Sequence, residues 1–462
     1  MRPANIRFLY ICIACSVLTG ACKIGHRYEQ PSLHTMPALF EKEQLSDGNA
    51  SDTGWSTLYS DTVLQSLICR ALDNNKDLNI ATAKIKEMKA NKRIAFSGLF
   101  PEIGVELAAQ KEYLNYGGNS DKYTPELRAN LNISWELDIW GNLRWANDAG
   151  IAAYLQTTEA RKALQLSLIA QVAQTYFELR ALDRKLSIVK QTLQAHRQSV
   201  HFAKIRHEGG LTSEIPYRQS LVEFARTETL IPELENEIKL KEYDLAVLVG
   251  DYPSAIIPRG EDIQGLQIPR DLPVDIPSSL LKRRPDMLLA EQKLIEANAN
   301  VGIAYTDRFP ALTLTGKTGG ENTELTDFLK SPTWFISGIL TGPLFNMGKN
   351  KAKHEAAKAI YEQEVYRYEK TVLEVFKEVN GALDTFRKRK EMRSSNETLY
   401  NSTKAYYDLA WLQYINGYVN YMDVLDSQRQ LFDAELALND AILNELISVV
   451  FLYKALGGGV NP

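Results

Sequence analysis

The sequence predicts a mainly α-helical protein that crosses a membrane with β-strands and is built as an internal tandem repeat. Three observations support this fold class. One fifteen-residue segment alternates apolar and polar side chains, two long stretches are almost free of proline and glycine, and the two halves of the chain match each other.

The alternating segment is LRANLNISWELDIWG, residues 127–141. Its apolar side chains, from Leu127 to Ile139, fall on odd positions, and its polar ones, from Arg128 to Asp138, fill the even positions. A period of two predicts an extended strand with two chemically opposed faces. Further strands are predicted at 102–110, 311–318 and 333–345. A soluble β-sandwich with one buried face would alternate in the same way and is the alternative.

The N-terminus carries an export signal. Arg2 and Arg7 precede an apolar run, residues 8–18, that is too short to span a bilayer as a helix. The following LTGAC resembles a bacterial lipobox and predicts cleavage before Cys22 and its lipidation, with an ordinary signal peptide as the alternative. No later segment has the roughly 18 consecutive apolar residues of a membrane-spanning helix. Any membrane crossing is therefore expected to use strands.

A duplication organises the chain. With a shift of 209 residues FPEIGVEL, from Phe100, lies on FPALTLTG, from Phe309, and with a shift of 207 Gly210 meets Gly417. Each half is predicted to contain a short helix, two strands, a very long helix, a tight turn and a returning helix. The predicted divisions are a signal peptide (1–21), an N-terminal lipidated and equatorial segment (22–70), the first repeat (71–250), a Pro-rich connector (251–279), the second repeat (280–457) and a tail (458–462).

Two very long helices are predicted, over 143–206 and 349–415. Their apolar residues recur with alternating spacings of three and four, which indicates a coiled-coil seam, although a purely structural coiled coil would show the same pattern. The seam residues are Leu179, Leu182, Leu186, Val189 and Leu193 in the first helix, and Val365, Tyr368, Val372, Val375, Val379, Ala382 and Phe386 in the second.

A tight turn is predicted at the end of each long helix. Gly210 and Gly417 are expected to stop the helices. Thr212 or Ser213 is expected to cap the first returning helix, and Asn420 the second.

Four strands cannot close a barrel by themselves. An open sheet edge inside lipid would leave backbone N–H and C=O groups unpaired, so the chain is expected to form an oligomer. Two copies give eight strands, whose interior is filled by side chains, whereas three copies give twelve strands and room for a pore. A homotrimer is therefore expected.

Composition argues against other classes. The chain has a formal net charge of -4, which does not favour nucleic acid as a partner. The histidines lack the spacing of a zinc site, and GPLFNMGKN lacks the spacing and the Ser or Thr of a phosphate loop. We expect neither an enzyme nor a bound metal or cofactor.

Six motifs together resemble the outer membrane factor family, and specifically its lipoprotein branch. They are CKIGHRYEQP, WELDIWGNLR, LPVDIPSSLLKRRPD, GPLFNMG, YINGYVNYMDVLDSQRQLF and YKALGGG. The resemblance implies a passive, trimeric exit duct of a tripartite efflux system, with a twelve-stranded outer-membrane β-barrel continuous with a twelve-helix periplasmic coiled-coil tunnel. The implied partners are outer-membrane lipid, a periplasmic adaptor (membrane fusion protein) and an inner-membrane pump of the RND type.

The family closes its tunnel at the periplasmic tip. By position, the resemblance implies an apolar constriction at Met422, carboxylate rings at Asp423 and Asp426, and a Tyr414 that helps to hold the tip shut. The residues alone also allow Asp423 to cap a helix and Asp426 to pair with Arg429.

Two departures bear on how the tip is held shut. Val419 occupies the place of an arginine that latches certain members, and Pro216 occupies the place of an aspartate. An apolar gate at Met422 is therefore expected rather than a polar lock. Small molecules are the favoured cargo, and the alternatives are a type I secretion exit duct and a non-conducting, periplasm-spanning structural lipoprotein.

Overall fold

A computed structural model of the chain describes residues 23–31, 54–114, 122–254, 256–266, 277–322 and 332–458. The predicted signal peptide, Cys22 and residues 459–462 lie outside the described residues. The chain divides into two compact units. The first contains residues 1–34, 83–158 and 289–370, and the second contains residues 35–82, 159–288 and 371–462.

Helices make up most of the described chain, as the sequence predicts. They are α1 (Trp55–Leu58), α2 (Thr62–Asn74), α3 (Lys76–Ser97), α4 (Asn142–Glu208), α5 (Ile215–Leu248), α6 (Pro277–Arg283), α7 (Pro285–Thr306), α8 (Lys349–Ile415) and α9 (Tyr421–Ala455). The long helices α4 and α8 have 67 residues each, so both extend beyond the usual length of a globular helix.

The strands belong to the first unit and form one antiparallel sheet in the order β1-β2-β3-β4. They are β1 (Glu102–Leu114), β2 (Lys122–Leu137), β3 (Ala311–Asn322) and β4 (Pro332–Thr341). The four predicted strands are therefore confirmed, whereas the alternative of two packed sheets is wrong for the described chain. Within that part of the chain, β1 and β4 are the edge strands.

The sheet register places most apolar side chains of the four strands on one face, although Phe335 and Ile339 of β4 lie on the other. Val105 pairs with Leu131, Leu131 with Thr318, and Thr318 with Trp334. This face is open in the single chain, because the side chains of Val105 and Ile336 are 72% and 76% exposed. The opposite face carries polar groups, including the Lys317 ammonium 3.5 Å from the Glu106 carboxylate.

Two strands end earlier than the sequence predicts. Strand β2 stops at Leu137, because the Asp138 carboxylate turns to the start of α4 and accepts a hydrogen bond from the Leu143 N–H at 2.9 Å. Strand β4 stops at Thr341, and Gly342 there packs against Pro310 so closely that a Cβ would lie 2.7 Å from its ring. The following Pro343 has no N–H to continue a ladder.

The core of the second unit contains the coiled-coil seam. Val372, Val375, Val379 and Phe386 of α8 are buried, so the predicted seam is confirmed there. In α4 only Leu179 and Val189 are buried, whereas Leu182, Leu186 and Leu193 are partly buried. Ala382 is only partly buried. Its neighbour Leu383 is 4% exposed and takes the core position, because an ideal helix drifts against a strict seven-residue repeat.

A buried arginine joins three segments of the second unit. The Arg284 guanidinium, 6% exposed, donates to the Asp286 carboxylate at 2.8 Å, to the Glu378 carboxylate of α8 and to the Ala455 carbonyl at the end of α9. Gly457 ends α9 with φ +80, and a Cβ there would lie 3.0 Å from the Arg284 side chain. Arg284 thereby satisfies the Ala455 carbonyl in the interior, and the Gly457 and Gly458 N–H groups donate to the carbonyls of Lys454 and Tyr453.

Part of the proline-rich connector packs into the second unit. Ile257 and Ile263 are buried, and the Arg259 guanidinium donates to Asp183 of α4 at 2.8 Å and to Glu242 of α5 at 2.7 Å. These contacts tie the connector to both helices of the first repeat's hairpin.

One described helix, α9, is long and apolar enough to cross a membrane by length and composition. Most of its apolar window is buried within the protein, which suits a core helix equally well. Polar residues such as Asn439 and Glu445 are among those buried.

Candidate gate at the helix turns

Both long helices end in the same glycine-dependent turn. Gly417 has φ +83, its N–H donates to the Tyr414 carbonyl, and the Tyr418 N–H donates to the Gln413 carbonyl. Gly210 has φ +71 and makes the equivalent pair of hydrogen bonds after α4. This is the Schellman arrangement, which needs a left-handed residue and so favours glycine. The predicted stops at both glycines are confirmed.

The two returning helices begin differently. Asn420 caps α9 as predicted, accepting from the Met422 N–H at 2.8 Å, while the Asp423 carboxylate accepts from the Asn420 N–H at 3.1 Å and completes a capping box. The predicted cap of α5 by Thr212 or Ser213 is wrong. Its N-cap is Glu214, which makes no side-chain capping bond.

Pro216 explains why α5 begins without a side-chain cap. Pro216 lies in the first turn of α5, has a φ suited to a helix and has no N–H, so one of the donors that a capping hydroxyl serves is missing. The Glu214 backbone is already helical, and its carboxylate accepts instead from Arg218 one turn later, at 2.8 Å.

Three of the four predicted gate residues share one face of α9. Met422 and Asp426 are exposed and four residues apart, and Asp423 lies between them and is partly exposed. The Asp426 carboxylate accepts from the Gln430 amide at 2.7 Å. The predicted alternative pair of Asp426 with Arg429 is wrong, because Arg429 pairs with Glu223 of α5.

Tyr414 is not on that face. It is 7% exposed and packs in a cluster with Tyr421, Val424 and Leu425. Its ring centroid is 5.6 Å from that of Tyr421, and the Arg206 guanidinium of α4 lies 5.0 Å from its ring centroid. The cluster holds the opposite side of α9, the side that faces the protein interior. Burial raises the pKa of Tyr421 to about 12, so its hydroxyl is neutral at physiological pH.

Sequence reasoning missed a polar group close to this cluster. His196 of α4 and Glu223 of α5 are both buried, and Arg429 of α9 donates to the Glu223 carboxylate. Glu223 and Arg429 are the ninth residues of α5 and α9, counted from Ile215 and Tyr421. The 207-residue shift of the repeat sets Glu223 against Gln430 rather than Arg429, so the sequence carried no signal for the pair.

The residues that follow Cys22 are held in place by contacts within the first unit. Lys23 pairs with Asp148 and lies 3.4 Å from the Trp145 ring centroid, and the Trp145 indole N–H donates to the Ile24 carbonyl at 2.8 Å. The Ile24 N–H in turn donates to the Trp140 carbonyl at 3.1 Å. Residue 23 is thereby held where β2 passes into α4.

The candidate gate residues belong to no metal-binding cluster among the described residues. In the part of the chain that the structure describes, no three or more His, Cys, Asp or Glu side chains are grouped so that they could hold a metal ion.

Comparison with known proteins identifies the family. The outer membrane efflux protein family model matches residues 67–251 and 276–458. The cation efflux system protein CusC of Escherichia coli O6:H1 is 30% identical over 99% of both chains, and the probable outer membrane lipoprotein SilC of Salmonella typhimurium is 30% identical over 96% of both. A crystal structure of CusC superimposes with a TM-score of 0.85, at 30% identity over 95% of this chain and all of that one.

The chain therefore belongs to the outer membrane efflux protein family. It is an outer-membrane efflux duct, and the resemblance drawn from the motifs is confirmed. The family is one of channels rather than of enzymes.

Proposed function

We propose that three copies of this chain form a passive duct through which small molecules leave the cell, without catalytic activity of its own. The observation that carries the proposal is the four-stranded sheet, which has an exposed apolar face, a polar opposite face and two edge strands. Three such sheets joined edge to edge give a twelve-stranded barrel with every ladder paired, its apolar face toward lipid and its polar face toward water.

The helices complete the duct in this proposal. Each copy contributes α4, α5, α8 and α9, so three copies give a twelve-helix periplasmic tunnel built from two repeats per chain. The seam buried within each chain and the polar outer positions suit helices that contact water on two sides. A periplasmic adaptor would open the tunnel and connect it to an inner-membrane pump of the RND type that selects the cargo.

Single-channel recording in a planar bilayer tests the duct. Purified trimers are expected to pass current, and cations are expected to permeate better than anions because of the aspartates near the tip. A protein that inserts and passes no current would instead be a structural tether between envelope layers.

Gating is proposed to depend on the exposed face of α9. Around a three-fold axis, Met422 would form an apolar ring and Asp423 and Asp426 two carboxylate rings, which attract cations. Tyr414 would act indirectly, by packing against Tyr421 and fixing the start of the helix.

Removing the carboxylates is expected to weaken cation selectivity. In Asp423→Ala/Asp426→Ala, the reversal potential in a salt gradient should move toward zero, because the charged rings are lost. Since Asp423 also belongs to the capping box, Asn420→Ala is the matched control: it loses the cap and keeps both carboxylates. An unchanged reversal potential in the double variant, or an equal change in the control, would remove the aspartates from the gate.

Lipidation of Cys22 is proposed from its neighbours. Because Lys23 and Ile24 are fixed at the junction of the sheet with α4, an acyl chain on the preceding residue would reach the membrane beside the strands. Cys22→Ser is expected to abolish palmitate labelling and to leave trimers intact. Cys69→Ser, which removes an exposed free thiol, is the control and should label normally. Labelling that persists in Cys22→Ser and disappears in Cys69→Ser would contradict the assignment.

A further inference from the structure

A cavity of about 300 Å³ lies in the first unit, where strands β2 and β3 join the helices α4 and α7. Glu136 of β2 and Ala311 of β3 are among the residues that line it. By the sheet register, both lie on the polar face of the sheet, the face that also carries Lys317 and Glu106. The cavity therefore opens on the side that faces water in the proposed duct.

One wall of the cavity is a fixed pair of aromatic rings. Trp140 and Phe309 are stacked with their ring centroids 5.0 Å apart, and the Trp140 indole N–H donates to the Pro310 carbonyl at 2.8 Å. Tyr305 contacts the Phe309 ring edge-on, with the two centroids 5.6 Å apart. The rings are therefore held in place before a ligand arrives, which lowers the entropic cost of binding.

The charged side chains that line the cavity are carboxylates. Asp138 pairs with Arg144 at 2.7 Å, and Asp307 lies 3.7 Å from the Lys353 ammonium. The Glu136 carboxylate is exposed and, within the described chain, forms neither an ion pair nor a hydrogen bond. The cavity thus keeps one uncompensated negative charge, at Glu136, which attracts cations and repels anions.

The other strand-to-helix junction of the chain does not repeat this carboxylate. Gly141, whose φ of +86 the turn requires, has Gly348 with φ +80 as its counterpart under the 207-residue shift. The counterpart of Glu136 is Pro343. A group that the fold itself required would be expected at both junctions, as the glycine is. Glu136 is therefore not needed to join a strand to a long helix and is free to serve a ligand.

We propose that this cavity binds small organic cations that carry an aromatic ring, with the ring against Trp140 and Phe309 and the cationic nitrogen near Glu136. The proposal deepens the proposed function, on which it rests, because it gives the duct a binding site for one class of cargo. An aromatic face attracts a cation, and the unpaired carboxylate adds a direct electrostatic attraction. Binding is weak, because cargo in a duct has to leave the site again.

Single-channel block by benzyltrimethylammonium tests the site in the working duct. This cation should interrupt the current of the wild type briefly. Glu136→Gln and Phe309→Leu should each weaken the block by on the order of tenfold, because each removes one of the two attractions. Tetramethylammonium, which lacks the ring, and benzyl alcohol, which lacks the charge, should block far less than benzyltrimethylammonium.

Glu102→Gln is the matched control. Glu102 of β1 is an exposed residue that pairs with Ser134, so it lies on the same polar face as Glu136, and it does not line the cavity. The control removes the same charge from the polar face and leaves the site intact. Its block by benzyltrimethylammonium should equal that of the wild type.

Saturation-transfer NMR measures binding without requiring conduction. The purified protein in lipid nanodiscs should transfer magnetisation to benzyltrimethylammonium, and the transfer should fall in Glu136→Gln and stay unchanged in Glu102→Gln. Because Glu136 is exposed, its replacement is expected to leave the fold intact. This measurement remains decisive if Phe309→Leu fails to assemble.

The outcomes separate the site from the duct. If the wild type passes no current but the NMR signal depends on Glu136, the duct fails and the site stands. If the wild type conducts and neither measurement distinguishes Glu136→Gln from it, the site is overturned. An equal loss in Glu102→Gln would show only a general attraction of cations to the polar face, and equal block by tetramethylammonium would remove the rings from the site. Either result overturns the proposal.

Discussion

Ile133→Arg is expected to prevent assembly of the duct in the outer membrane, whereas Ser134→Arg one residue later should be tolerated. Both positions lie on the inner strand β2 and are exposed in the single chain. Ile133 belongs to the apolar face, with Ile103 and Gly316 opposite, and Ser134 belongs to the polar face. A charge on the lipid side of a membrane strand costs about 2–4 kcal/mol near the bilayer midplane, whereas a charge facing the lumen is solvated.

Ser134→Arg is the control for Ile133→Arg, because both variants introduce arginine into the same strand at a position that is exposed in the single chain. The measurement is the amount of folded trimer in the outer-membrane fraction, resolved by its resistance to dissociation on unheated gels. Equal trimer yields for the two variants would mean that the two faces of β2 do not differ in their surroundings. The orientation proposed for the sheet would then be wrong.

Arg284→Met is expected to destabilise the second unit by about 1–3 kcal/mol, the cost of leaving the buried Ala455 carbonyl without its donor, because the Asp286 and Glu378 carboxylates remain accessible to water. Methionine fills much of the same space but cannot donate to Asp286, Glu378 or the Ala455 carbonyl. The midpoint of urea unfolding should fall accordingly.

Lys282→Met is the control for that experiment. Lys282 is exposed on the short helix α6, two residues before Arg284, so the substitution changes charge equally and leaves the buried contacts in place. Equal midpoints for the two variants would show that Arg284 contributes no more than an exposed lysine. A change in the slope of the transition would point to altered cooperativity rather than stability.

Local features of the fold could be predicted from the sequence because neighbouring residues determine them. The alternation through Ile133 identifies a strand, Gly417 a left-handed turn, and Asn420 a cap, since each depends on a few adjacent positions. The failures were also local. The alternation predicts an end of β2 that is too late because Asp138 instead caps the start of α4, and α5 lacks the predicted hydroxyl cap because Pro216 removes a donor.

Long-range features could not be predicted in this way. Glu223 and Arg429 are separated by 206 residues, and the strap from Lys23 to Asp148 spans 125. Neither pair has a spacing that marks it, and the sequence offered Arg429 a nearer partner in Asp426. The difference in burial explains why Arg429 pairs with Glu223. The Glu223 carboxylate is buried and needs a cation, whereas the Asp426 carboxylate is exposed and solvated.

The composition of α9 has a consequence for biogenesis. An outer-membrane protein is first threaded unfolded through the inner membrane, where a sufficiently apolar helix would be released sideways into lipid and remain there. Asn439, which donates to the Ala181 carbonyl, and Glu445, which pairs with Arg393, interrupt the apolar sequence of α9. An acidic residue near the middle of a segment strongly disfavours lateral insertion. The polar side chains that tie α9 to α4 and α8 in the folded protein are therefore also expected to keep this helix moving outward during export.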